Sequence, residues 1–157
     1  MQVKLSDIAT YKQGKQVEIN DQFTEPFEKS CRFIRIIDFT NKNEPPRYVH
    51  DYGEQYKVSK NDLVMIRYGS QTAGRVVRGY EGIIANNMFK IAFKEQVNLD
   101  FMYYYLSRDE IFHQLRGSQS SSTMPAITFS MMDTIILNIP DIKKQNHIVN
   151  IRRNYYA

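Results

Sequence analysis

Cysteine occurs once in 157 residues, at Cys31, so the chain cannot close a disulfide on itself. The residue lies in the strand-like run Cys31-Arg32-Phe33-Ile34-Arg35-Ile36-Ile37-Asp38, where a small buried thiol in a reducing cytoplasm is the expected role. Tryptophan is missing altogether. Aromatic surface is left to 11 Tyr and 9 Phe, and tyrosine joins an apolar ring to a hydroxyl that reaches phosphates or bases. Long apolar runs are missing too. Met1-Gln2-Val3-Lys4-Leu5-Ser6-Asp7 holds no core of signal-peptide length, and no later stretch is long enough to span a bilayer, which predicts a soluble cytoplasmic chain with no membrane partner.

Catalytic constellations are equally scarce. His50, His113 and His147 are widely spaced and lack Cys or carboxylate neighbours at ligand spacing, so no metal site is expected. Asn43-Glu44-Pro45-Pro46-Arg47 carries the prolines of an amino-methylating motif. Glu44 precedes them, however, a basic residue follows, and no glycine-rich nucleotide loop follows an early strand. Pro140-Asp141 with Lys143 and Lys144 resembles a fragment of a metal-dependent nuclease motif, yet no acidic residue follows Asp141 to complete a magnesium site. The serines between Ser118 and Ser122 have no base or orienting group at a recognisable spacing, which leaves a serine hydrolase as a third alternative. No catalytic residue and no cofactor are assigned.

What is present is ordinary globular composition, 42% hydrophobic and 24% charged, enough for one domain with its own core. The 21 Lys+Arg exceed 17 Asp+Glu, and a net charge of +4 with a pI near 9.1 leans mildly toward polyanionic partners. Leu5-Ser6-Asp7-Ile8-Ala9 reads as a helical turn or short opening strand closing at Gly14, and residues 15–30 read as mostly loop. Residues 31–38 read as an inner strand and 40–47 as an exposed loop. Tyr48-Val49-His50 and Tyr56-Lys57-Val58 are short strand candidates. Strands 62–67, 74–78 and 83–93 are expected to form an antiparallel set, with a bulge near Asn86-Asn87. Helices begin at Asp100, where Phe101/Tyr105 and Met102/Leu106 are i,i+4 pairs, and at Asp109, which places Ile111, Phe112 and Leu115 on one face before Gly117. This phase assigns Tyr103-Tyr104-Tyr105 to helix surface and core rather than to a base-stacking platform. Ser130 with Asp133 predicts a helix cap, residues 135–139 a strand, and Pro140-Asp141 the start of a last helix with Ile142, Ile148 and Val149. The fold class is α+β: a β-rich twisted antiparallel sheet or partial barrel, a small helical part and a C-terminal helix stub.

The most informative stretch is Gly69-Ser70-Gln71-Thr72-Ala73-Gly74, between the apolar strand ending at Arg67 and the basic strand Arg75-Val76-Val77-Arg78. Small and amide side chains at a turn approach base edges closely, and Arg67, Arg75 and Arg78 can neutralise phosphates. An ordinary hairpin with solvated arginines has the same residues.

Segment order adds specificity. Lys4-Leu5-Ser6-Asp7-Ile8-Ala9 runs to Gly14, followed by Phe33-Ile34-Arg35-Ile36-Ile37-Asp38. Val58-Ser59-Lys60-Asn61-Asp62-Leu63-Val64-Met65 then leads into Arg67-Tyr68-Gly69-Ser70 and Asn86-Asn87. Beyond lie Phe101-Met102-Tyr103-Tyr104-Tyr105-Leu106, Gly117-Ser118, and Leu137-Asn138-Ile139-Pro140 before Lys144-Gln145-Asn146-His147-Ile148-Val149. Over residues 3–152 this order resembles one target recognition domain of the DNA specificity subunit of type I restriction-modification systems. Two positions depart from the family pattern: Pro140-Asp141-Ile142 stands where Pro-Pro-Leu is usual, and Asn61 where glycine is common.

The resemblance implies a non-catalytic subunit that reads one half of a split site on double-stranded DNA. Its partners would be the methyltransferase and restriction subunits, with a second copy or a second recognition domain. Residues 1–140 would form the recognition domain and 141–157 the start of a truncated conserved helix. The expected DNA-binding residues are Arg67, Tyr68, Ser70, Gln71, Thr72 and Arg75 of the loop, Lys42 and Arg47 of segment 40–47, and Arg116, Ser118, Gln119 and Ser120. Among them Arg67, Arg75 and Arg116 are candidate phosphate or guanine contacts, and Ser70, Gln71, Gln119 and Ser120 candidate base-edge readers. Two alternatives stay open: a recognition domain from a fused type II restriction-modification enzyme, and a module that binds a protein through its tyrosines and last helix.

Overall fold

A computed structural model describes residues 2–117 and 126–156. β1 (Gln2–Lys4) passes through a one-turn helix, α1 (Leu5–Ile8), into β2 (Ala9–Gln13). After a long loop come β3 (Cys31–Ile34), α2 (Ile36–Thr40), β4 (Arg47–Val49), β5 (Lys57–Val58), β6 (Leu63–Ile66), β7 (Val76–Val77), β8 (Gly82–Ile84) and β9 (Met88–Phe93). The remainder is α3 (Leu99–Leu106), α4 (Asp109–Gly117), α5 (Phe129–Met132), β10 (Ile136–Asn138) and α6 (Ile142–Tyr156).

The strands form two four-stranded sheets, ordered β2-β9-β6-β7 and β4-β3-β8-β5, and the ribbon β1-β10. Both four-stranded sheets are open. The first is the middle layer of the molecule, which follows from the alternation of side chains along its strands. All four residues of β6 are buried. Leu63 and Met65 join a core with Met102 and Leu106 of α3 and Ile111 and Leu115 of α4, whereas Val64 and Ile66 join Phe33, Ile34, Ile83 and Ile84 of the second sheet. One septum thus serves two cores, with helices on one side and the second sheet on the other.

The α+β class holds, and antiparallel pairing dominates. Several local readings change. The residues read as opening toward Gly14 continue as β2, which pairs antiparallel with β9 from Ala9↔Phe93 to Gln13↔Phe89. Residues 31–38 are not one strand: β3 stops at Ile34 and α2 follows. The Asp38 carboxylate accepts the Arg35 backbone N–H at 2.7 Å, which satisfies an amide at the helix start and outweighs the β preference of Ile36 and Ile37. Strand β8 leaves the expected antiparallel set and runs parallel to β3, with Phe33↔Ile83 and Ile34↔Ile84 opposed. Asn86-Asn87 is accordingly not a bulge between paired strands. It is the turn by which the chain crosses from one sheet to the other. At the same junction the Gly14 amide donates to the Met88 carbonyl at 3.0 Å, and a β-carbon at Gly14 would stand 2.0 Å from the Ala85 oxygen.

The cap of α5 is Thr128, whose hydroxyl accepts the Met131 amide at 3.1 Å, and not Ser130. Asp133 instead accepts the Tyr11 hydroxyl at 3.3 Å; burial, then the Asp133 charge, push that hydroxyl well above the usual phenol range. Cys31 is half-buried rather than buried, and burial followed by the charge of Asp51 pushes its thiol up. No helix among the described residues is long and apolar enough to cross a membrane.

Candidate nucleic-acid interface

The loop between β6 and β7 is built on its own backbone. Gly74 donates to the Ile66 carbonyl at 2.9 Å, Ala73 to Gly69 at 3.1 Å, and the Thr72 hydroxyl to Tyr68 at 2.8 Å. Ala73 is fully buried against the helical core. These contacts close a tight turn whose remaining side chains, Tyr68, Ser70 and Gln71, are exposed and without side-chain hydrogen bonds among the described residues. A rigid turn with free polar groups is suited to reading a surface, because little order has to be imposed on binding.

Arg67 holds the root of this turn. Its Nε donates to the Ile127 carbonyl at 2.9 Å and its Nη1 to Gln13 Oε1 at 2.7 Å, while the guanidinium lies between the Tyr68 and Phe129 rings at 5.5 and 5.4 Å. Arg116, on the last turn of α4, donates to the Ser70 carbonyl at 2.9 Å and to the Ala73 carbonyl at 3.2 Å. Both are therefore engaged by the protein itself.

Arg75 differs. It is exposed, with its guanidinium carbon 4.0 Å from the centroid of Phe112, and its side chain makes no hydrogen bond or ion pair among the described residues. Arg116 approaches the same ring at 5.3 Å. Phe112 was expected on the core face with Ile111 and Leu115. Only those two are buried, and Phe112, half-exposed, lies across Gly74 under the arginines. The readable signal was the i,i+4 spacing of Phe112 and Arg116.

Segment 118–125, which contains the expected contacts Ser118, Gln119 and Ser120, lies outside the described residues. Its two flanks are informative. Arg116 bonds Ser70 and Ala73, and Ala126 forms a β-bridge with Tyr68, so the chain leaves and returns at the same loop. Arg47 belongs to β4 of the second sheet instead, and Lys42 to the turn that leads into it. Lys42 is exposed and unpaired among the described residues, and Arg47, half-buried in β4, donates to Gln22 Oε1 at 2.9 Å. Arg35 anchors this segment through Glu44 at 3.4 Å and the Pro45 carbonyl at 2.9 Å. Among the described residues no hydrogen bond or ion pair joins segment 40–47 to the loop.

The second arginine after the loop, Arg78, is turned away. It pairs with Asp100 and stacks on Tyr103 at 4.1 Å, and Arg153 of α6 pairs with the same carboxylate. Burial raises the Asp100 carboxyl, but the two guanidinium groups together hold it below its ordinary value. Asp141, considered above as a nuclease fragment, caps α6 by accepting the Lys144 amide at 2.9 Å. Among the described residues no three His, Cys, Asp or Glu side chains gather as a metal site.

The site is thus a backbone-pinned polar turn on the edge of a buried sheet, with cations stacked beside it. The sequence profile of the type I restriction modification DNA specificity domain matches residues 1–157, and the chain belongs to that family. Over 154 residues it is 21% identical to the type I restriction enzyme MjaVIII specificity subunit of Methanocaldococcus jannaschii, covering 98% of this chain and 35% of that protein. The fold is similar to that of the HsdS subunit from Thermoanaerobacter tengcongensis, with a TM-score of 0.69 at 15% identity over 96% of this chain and 36% of the other. A chain from a structure addressing complex assembly and conformational transition of the type I R-M system matches with a TM-score of 0.72 at 16% identity, over 99% and 38%. The S subunit of a type I restriction-modification system from M. genitalium gives 0.67 at 15%, over 96% and 37%. The chain thus spans little more than a third of the length of these relatives.

Proposed function

We propose that this chain is a non-catalytic DNA target recognition domain, acting in the cytoplasm as part of a type I specificity subunit. It directs methyltransferase and restriction subunits to one half of a bipartite duplex site. The observation that carries this reading is the pinned β6–β7 loop, which presents Tyr68, Ser70, Gln71 and Arg75 to solvent while both flanks of segment 118–125 attach to it. Family membership supports the same reading. The contact face comprises Tyr68, Ser70, Gln71, Thr72 and Arg75 with Ser118, Gln119 and Ser120, Arg67 and Arg116 hold it from behind, and Lys42 and Arg47 are a second candidate patch.

Residues 1–140 then make up the reading unit and 141–157 begin the helix that meets the other subunits. In support of this, α6 buries, among its described side chains, Gln145 and Val149 against the domain and leaves Ile148, Ile151 and Tyr155 exposed at the three- and four-residue spacing of a helix seam.

Duplex binding by the full chain, titrated with salt, is expected to weaken linearly in log K against log salt, as counterion release requires. Sequencing of methylated positions in cells that carry the chain with a matching methyltransferase is expected to return one constant half-site. Salt-independent or undetectable duplex binding, with capture of a partner other than a methyltransferase, overturns the reading in favour of a protein-interaction module.

A further inference from the structure

The arginines bordering the loop are not equivalent. Arg67 uses its guanidinium on Ile127 and Gln13, and Arg116 on Ser70 and Ala73. Arg75 alone of these keeps its side-chain donors free among the described residues. Its main chain is held from both sides, since its amide donates to the Thr72 carbonyl at 3.0 Å and its carbonyl accepts the Ile66 amide at 3.0 Å. Its side chain is seated over the Phe112 ring at 4.0 Å.

Phe112 lies across Gly74. Gly74 is buried with φ of +92°, and a β-carbon there would stand 3.4 Å from the ring. An arginine whose face rests on an aromatic ring loses rotamer freedom before any ligand arrives, while the N–H groups along its edge still point outward. A fixed guanidinium edge matches paired acceptors: two phosphate oxygens, or O6 and N7 of guanine in the major groove.

Resting on the reading of the chain as a DNA-recognition domain, we propose that Arg75, preorganised on Phe112, is its paired-donor contact with duplex DNA. Arg67 and Arg116 are positioning residues that hold the loop and touch no nucleotide.

The test uses the full chain, a mixed-sequence duplex titrated with salt, and methylation mapping with the matching methyltransferase. Arg75→Ala is expected to cost roughly tenfold to a hundredfold in affinity for the recognised site. A phosphate partner is revealed by a salt slope smaller by about one on the mixed duplex, a guanine partner by relaxation of the methylated motif at one position. Arg75→Lys keeps the charge but not the paired donors and fails to restore wild-type behaviour. Arg67→Ala and Arg116→Ala are expected to keep the wild-type slope while the amides of Ala73 and Gly74 exchange faster. The inference fails if the wild type binds with a clear salt slope and Arg75→Ala leaves both slope and motif unchanged. It also fails if Arg116→Ala lowers the slope with loop protection intact. A wild type with no salt-dependent binding defeats the underlying domain reading instead.

Discussion

Arg67 and Arg75 are eight positions apart on one hairpin and have opposite environments. Arg67 sits where β6 ends, and its donors hold the Ile127 carbonyl and the Gln13 side-chain oxygen. Removing it leaves half-buried acceptors without partners, so Arg67→Ala is expected to lower unfolding free energy by about 1–3 kcal/mol in urea titrations. Arg67→Lys recovers little of this, because an ammonium cannot span two acceptors set at a fork. Gly74 tests the same corner from the backbone. A side chain at φ of +92° is strained, so Gly74→Ala should cost about 1–2 kcal/mol. Measured stability equal to wild type in either variant would contradict this account of the turn. The residues of the loop were legible in sequence because turn chemistry is local. Their partners were not, since Gln13, Ile127 and Arg116 are brought there by three distant parts of the chain.

At the scale of elements, capping and charge pairing decide where helices begin and how they dock. Helix α2 shows the first: a β-branched run predicts a strand, and one carboxylate, Asp38, converts its second half into a helical turn. Helix α6 shows the second. Gln145 is buried and bonds the Asn98 amide and the Pro140 carbonyl, each at 2.9 Å, while Asp100 of α3 holds Arg153. The depressed Asp100 carboxyl gives docking a pH dependence whose sign is fixed. Its folded-state value lies below the unfolded one of about 3.9, so the stabilisation is complete above that pH and is lost as pH falls through the folded value. Hydrogen-exchange protection of α6 is expected to decline below about pH 4, and Asp100→Asn to lower it at neutral pH and flatten the acid limb. An acid limb in the variant as steep as in the wild type would place the titrating group elsewhere.

For the molecule as a whole, the consequence of β6 standing between two cores is cooperativity. Met65 faces the helical core and Ile66 the second sheet, and both are almost wholly buried. Met65→Ala and Ile66→Ala are each expected to cost about 2–5 kcal/mol. Because one strand serves both layers, circular dichroism and tyrosine fluorescence should report one coincident transition in each variant. Two separated transitions would show that the layers unfold independently.

Composition and periodicity were sufficient to establish an α+β chain with one cysteine, helices after Asp100 and a polar turn between β6 and β7. Each of these depends on residues close in sequence. Which strand lies beside which, and which arginine is left free, follows from contacts between residues tens of positions apart. The parallel pairing of β3 with β8 and the seating of Arg75 on Phe112 are packing outcomes, because a strand's partners and a cation's neighbours are chosen by the burial of faces that no local window contains.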